Sequence, residues 1–93
     1  MIIFFHADWC IPCRELEETT FADKQLINQL RTFNVFQVDM THTMNERVEG
    51  FRQQFEIVGV PTIIIINSNG LQVKRISGFV SADVIIETIS EIH

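Results

Sequence analysis

The order of apolar and polar segments predicts an α/β fold, a mixed sheet flanked by helices, on three observations. Ile2-Ile3-Phe4-Phe5 and Thr62-Ile63-Ile64-Ile65-Ile66 are nearly unbroken apolar runs, as expected of central strands covered on both faces. The segments Met44–Phe55 and Ala82–Ile92 repeat apolar residues at intervals of three and four, the period of a helix with one buried face. Asn67-Ser68-Asn69-Gly70 separates the second apolar run from an alternating one, which marks a hairpin, because Asn and Gly accept positive φ.

Taken in order, Met1–His6 is the first buried strand. A helix follows from Ile11 to about Glu18, with Leu16 inward and Glu15, Glu17 and Glu18 mostly in water, until Thr19-Thr20-Phe21 interrupts it. Asp23 caps a second helical piece through about Thr32, with Leu26, Ile27 and Leu30 as its apolar stripe. Asn34–Met40 adds a strand. Thr41-His42-Thr43 is a polar turn in which Thr43 is placed to cap the helix Met44–Phe55, whose inward face is Met44, Val48, Phe51 and Phe55. Gly50 costs that helix about 1 kcal/mol relative to Ala, a cost that close packing would explain. After the strand Thr62–Ile66, the return strand Leu71–Ile76 carries Lys74 and Arg75, residues suited to a protected edge. Ser81 caps a last helix whose inward stripe is Ala82, Ile85, Ile86, Ile89 and Ile92.

Composition narrows the function. Ninety-three residues, 46% hydrophobic, suffice for one small core, since a chain of this size buries only about 60 to 65% of its unfolded surface. A net charge of −5 argues against nucleic acid or anionic membrane surfaces as partners. The sequence holds no run of eighteen or more apolar residues and no basic segment leading into an apolar one, so neither a membrane span nor a secretory signal is expected within it.

The chemistry concentrates in His6-Ala7-Asp8-Trp9-Cys10-Ile11-Pro12-Cys13-Arg14, at the junction of the first strand and helix. Cysteines at that spacing can alternate between dithiol and disulfide if the first lies on the helix's opening turn. There the free N–H groups and the helix dipole favour the thiolate, lowering the Cys10 pKa from the ordinary value of about 8.5. Cys10 is then the attacking sulfur. Cys13, one turn further on the same face and better shielded, resolves the mixed disulfide. Pro12 lacks an N–H, which suits a first turn where that group has no helical partner. A structural disulfide would close a loop too short to restrict the unfolded chain much. Zinc needs four ligands, and His6, His42 and His93 do not offer them at finger-like spacing. Open α/β sheets place their sites at the carboxyl ends of strands, where this pair falls.

These residues carry a resemblance. Trp9-Cys10-Ile11-Pro12-Cys13 after an apolar strand, with Gly59-Val60-Pro61-Thr62 about fifty residues later, resembles the thioredoxin superfamily. More narrowly, four features are similar to the C-terminal thioredoxin-like domain of the DsbD family of thiol:disulfide interchange proteins. They are Ala7-Asp8-Trp9-Cys10 with Cys13, the Glu15, Glu17 and Glu18 cluster, Thr20-Phe21 followed by Asp23, and Gly78-Phe79 before the last helix. The likeness runs over nearly the whole chain. It implies a thioredoxin-like three-layer α/β/α fold with a central mixed sheet, a single domain over residues 1–93, lacking the N-terminal strand and helix of full thioredoxins and related to a larger membrane-associated protein. It also implies a protein-disulfide reductase that needs no organic cofactor or metal. Electrons would come from a membrane-embedded partner domain and pass to another periplasmic thiol domain. The expected state is a periplasmic monomer; a free-standing cytosolic reductase and a non-catalytic adaptor are the alternatives.

The resemblance further implies a cis Val60-Pro61 bond, which would leave the Val60 backbone free to pair with an extended partner segment; an ordinary trans proline at a strand start is the other reading. Trp9, Ile11, Pro12, Val60 and Pro61 are the expected partner-binding residues, Trp9 as an apolar rim or as a partly buried core residue. Glu17, four residues after Cys13 on the same helical face, either tunes the buried sulfur by opposing a second negative charge or is simply solvated. Phe4 stands where related proteins commonly carry a buried acid, which argues against a proton relay through the first strand and leaves Glu17 and Asp8 as the nearby carboxylates. His6 replaces a common aromatic and is expected to be packed or hydrogen-bonded.

Overall fold

Along the chain, β1 (Ile2–His6), α1 (Ile11–Glu15), a π-helical segment (Leu16–Thr20), α2 (Lys24–Leu30), β2 (Val35–Asp39), α3 (Glu46–Gln54), β3 (Thr62–Ile66), β4 (Gln72–Ser77) and α4 (Ala82–Ser90) follow one another in the computed structural model, which describes residues 1–41 and 46–91. The two apolar runs lie side by side at the centre of a four-stranded sheet of order β2-β1-β3-β4. β1 is parallel to β2, with Ile2 opposite Val35, and antiparallel to β3, with Ile2 opposite Ile65 and Phe5 opposite Thr62. β4 returns antiparallel to β3, with a register irregularity at Ile65/Ile66.

Alternation along β1 sorts the helices into layers. The Phe5 ring meets Phe55, just beyond α3, at a centroid distance of 5.8 Å, whereas Phe4 on the opposite face meets Phe21, between the π segment and α2, at 4.9 Å. α3 therefore covers one face; α1 and α2 cover the other, with α4 packed beside α2. The three-layer arrangement expected from the resemblance is the one observed. Phe5, Leu16, Leu26, Ile63, Ile64, Ile65 and Ile85 are fully enclosed between these layers. The outer strands β2 and β4 are mostly exposed, which accounts for the polar alternation of β4.

Several local readings change. The first helix does not break at Thr19-Thr20; it widens. The Phe21 N–H donates to the Leu16 carbonyl at 2.8 Å, a five-residue step. The threonines favour this because their hydroxyls take up main-chain carbonyls. Thr19 Oγ1 donates to Glu15 O at 2.6 Å, and buried Thr20 donates to Val80 O at 2.6 Å, tying this helix to the chain just before α4. Asp23 caps α2 as expected, Oδ1 accepting from the Leu26 N–H at 3.0 Å. Ile27 leaves the predicted stripe and is 43% exposed, because only Leu26 and Leu30, four apart, share the inward face. α2 ends at Leu30, not Thr32.

On α3, Val48 is half-buried and Phe51 exposed, while Phe55 packs inward just past the helix. His42, Thr43 and Met44 lie outside the described residues. Gly50 does not serve close packing among the described residues: a Cβ there meets none of their atoms within 4 Å. Gly50→Ala is accordingly expected to stabilise the fold by about 0.5–1 kcal/mol, measured as a rise in urea midpoint, through the lower entropy of the unfolded chain. Ser81 occupies the N-cap of α4 without a side-chain cap bond. That helix buries Ile85 and Ile89 and half-buries Ala82 and Ile86, and Ile92 lies outside the described residues. The hairpin forms as read. Gly70 takes φ +81°, and Asn67 Oδ1 accepts from the N–H groups of Asn69 and Leu71, each at 3.0 Å. Among the described residues no helix is long and apolar enough to cross a membrane.

Candidate active site

The cysteine loop leaves the carboxyl end of β1 and is fastened to the end of β2. His6 O accepts from the Met40 N–H at 2.6 Å, and the Asp8 N–H donates to Thr41 Oγ1 at 2.9 Å. Asp39 Oδ1 accepts from both the Thr41 N–H and the Thr41 hydroxyl. The chain then turns, the Cys10 N–H donating to Ala7 O at 3.2 Å, and Cys10 becomes the N-cap of α1 with φ −91° and ψ 107°. Its Sγ accepts the Cys13 N–H at 3.2 Å, the bond that an aspartate or serine oxygen makes at an ordinary helix start. A charged sulfur at this position gains that N–H and the positive end of the helix dipole, so thiolate is favoured over thiol. Pro12 sits at the second helical position, where no intrahelical donor is lost.

Cys10 and Cys13 are joined by a disulfide with α-carbons 5.2 Å apart, within the ordinary range for such bonds. Both are buried, Cys10 5% exposed and Cys13 1%. The expected order of accessibility holds, but Cys10 is more enclosed than an open attacking sulfur, because a capping side chain folds under the first turn. Around it the surface is apolar and open. Trp9 is 65% exposed and Ile11 72%, with Pro12 exposed beside them.

The Val60-Pro61 bond is cis. Pro61 is buried and Val60 half-buried, and the Val60 backbone makes no hydrogen bond to another described residue. A shallow pocket of about 130 Å³ brings Trp9 together with Met40, Arg52, Ile57, Val58, Gly59 and Val60, so the cysteine loop and the proline loop share one groove. Trp9 is thus a rim residue and not part of the core. Val58, Met40 and Arg52 escaped the sequence reading. Val58, wholly exposed, is an apolar residue belonging to no strand or helix, and that misfit was its only signal. Arg52 is gripped by Glu49 one turn earlier, at 2.8 Å from Nη2 and 3.1 Å from Nε to Oε2. These hydrogen bonds hold the Glu49 carboxyl below the ordinary carboxylate range and raise Arg52. The pair's contribution to folding is therefore complete above the ordinary carboxylate pKa and lost only as pH falls through the lowered one.

Glu17 is placed beside His6. Its Oε1 lies 3.8 Å from His6 Nδ1, an ion pair when the ring is protonated, and its side chain is 47% exposed. Neither cysteine is among its hydrogen-bond partners in the described residues. His6, 14% exposed, stacks on Phe4 at 5.1 Å with 27° between the rings, the packed role expected of it. Phe4 itself is core.

The DsbD thiol:disulfide interchange protein of Haemophilus ducreyi is 38% identical over 85 residues, which are 89% of this chain and 15% of that protein. The DsbD protein of Campylobacter jejuni is 32% identical over 89 residues, 96% of this chain and 15% of that protein. The chain thus spans about 15% of the length of these relatives. The crystal structure of the DsbD C-terminal domain of Neisseria meningitidis in its oxidised form superposes with a TM-score of 0.86 at 26% identity, covering 100% of this chain and 79% of that one. A thioredoxin from Thermus thermophilus, at 17% identity, TM-score 0.79 and coverage of 97% of this chain and 70% of that one, shares the fold. The thioredoxin-like domain model matches residues 1–93, and the chain belongs to that family.

Proposed function

We propose that this domain is a thiol:disulfide oxidoreductase acting on protein disulfides in the reductive direction, as an electron-relay domain resembling the C-terminal domain of DsbD. The Cys10 thiolate attacks one sulfur of a partner disulfide; the new Cys10–partner bond forms as the partner's S–S bond breaks, and the departing thiolate takes a proton. Cys13, deprotonated, then attacks Cys10 Sγ and releases the second partner thiolate, which is protonated in turn. Two electrons pass from the domain's dithiol to the partner, and the domain is left as the observed disulfide. The observation that carries this reading is Cys10 at the helix N-cap, its sulfur receiving the Cys13 N–H.

Partner contact falls to Trp9, Ile11, Pro12, Val60 and Pro61, with the unpaired Val60 backbone available to an extended segment. Glu17, on the turn after Cys13, opposes a second negative charge at the inner sulfur. The direction follows from Ile11-Pro12, which bring neither charge nor histidine to over-stabilise the reduced form; a potential nearer thioredoxin's roughly −270 mV than the oxidising extreme of about −120 mV is expected. The likeness to thiol:disulfide interchange proteins supports exchange with protein thiols; the setting implied by the family resemblance is periplasmic, with electrons supplied by a membrane-embedded domain and passed to another thiol domain.

Cys13→Ser tests the mechanism. Mixed with insulin, the reduced variant is expected to accumulate a covalent Cys10–insulin disulfide, seen by non-reducing mass spectrometry and dissolved by dithiothreitol. Binding of insulin with no adduct at all would reveal an adaptor and not a catalyst.

A further inference from the structure

We infer that Arg75 is a positioning residue for the partner groove: from the edge strand β4 it holds the end of α3, and with it the loop that presents Val58 and Val60. The inference rests on the reading of that loop as partner-binding. Arg75 lies opposite Ile64, which pairs with Ile3 on the sheet face that α3 covers. From there its Nη1 donates to Glu56 O at 3.2 Å and its Nη2 donates to Phe55 O. A helix ends with carbonyls that have no helical partner and with the negative end of its dipole, and a guanidinium fork satisfies both.

The carbonyls it chooses flank an unusual residue. Glu56 has φ +52°, the one non-glycine residue with positive φ among those described. The chain reverses there: the Ile57 N–H donates to Arg52 O at 2.9 Å, and Ile57 is buried beneath, in the manner of helix ends that normally use glycine. An L side chain disfavours this conformation, so contacts from outside the helix must hold it. Arg75 bonds the two peptide groups on either side of Glu56 and so restrains both torsions between them. The far end of the loop is held separately. Thr62 Oγ1 donates to Gly59 O at 2.7 Å, and the Gly78 N–H donates to Pro61 O at 3.0 Å. Between these clamps Val58 and Val60 carry no hydrogen bonds to described residues, so the rim is set by its ends. Releasing the near clamp leaves disorder that a binding partner must remove, which weakens binding without touching the sulfurs.

Arg75→Met keeps the aliphatic stem and deletes the donors; Arg75→Lys restores one. Each reduced chain is assayed on insulin, whose segments must enter the groove, and on dithiobis-nitrobenzoate, which needs only the sulfur; the reduction potential is measured against glutathione. Arg75→Met is expected to raise KM for insulin about fivefold, leaving kcat, the small-disulfide rate and the dithiol equilibrium constant within about twofold, and Arg75→Lys to recover part of the loss. An unchanged KM, or parallel losses on both disulfides, overturns the positioning role. Failure of the unsubstituted chain to reduce either disulfide would remove the functional reading itself, and the inference with it.

Discussion

Cys10→Ser is expected to abolish disulfide exchange, with a loss of at least about a thousandfold in the rate of insulin reduction. The argument is electronic before it is geometric. The nucleophile is a thiolate, and a serine hydroxyl at the same N-cap keeps its proton at neutral pH whatever the helix offers it. Serine is a good N-cap, so the fold and the Cys13 N–H bond survive the exchange and the loss reads out chemistry alone. Cys13, 1% exposed beneath the first turn, cannot substitute as the attacking group. A companion measurement is iodoacetamide alkylation of the reduced domain, expected to label Cys10 and to vanish in Cys10→Ser. Residual alkylation and turnover in the variant would assign the attack to Cys13 and reverse the proposed roles.

The largest expected effect on stability is at Phe5. Its ring is fully enclosed in β1, against Phe55, with Val38 and Thr62 as its cross-strand partners. Phe5→Ala removes the buried area and leaves a cavity between the sheet and the α3 layer, at a cost of about 3–5 kcal/mol. Small domains have about 5–15 kcal/mol in total, so much of the folding free energy goes with this one ring. At about 4–8 °C per kcal/mol the melting midpoint should fall by roughly 12–40 °C. Thermal and urea unfolding followed by circular dichroism measure it; a loss below about 1 kcal/mol would mean that the core relaxes into the space and that Phe5 is not its centre.

How far the sequence could be read varied with the kind of interaction. Ile2–Phe5 and Thr62–Ile66 were legible because a strand buried on both faces leaves no room for polar residues, and the hairpin because its turn needs residues that tolerate positive φ. Asp23 was legible because its bond to the Leu26 N–H is local. Thr19 and Thr20 read locally as a break, yet the helix continues through them as a π segment. The hydrogen bond of Thr20 to Val80, sixty positions away, cannot be inferred from its neighbours. Ile27 and Gly50 were misplaced for a related reason: the face a short helix buries depends on what packs against it, and period alone leaves that open.

Within the site, the cysteine pair, its order of burial and its place at a helix start follow from local spacing, since capping and the i to i+3 geometry act within one turn. The sequence by itself therefore determined the cysteine pair and the layered α/β frame that presents it. Tertiary structure alone decided that Glu17 lies beside His6, that Trp9 and Val58 share a groove, and that Arg75 bonds the carbonyls at the end of α3. Those contacts join residues brought together by the crossing of strands and helices, and their energy depends on distances in space that no local pattern encodes.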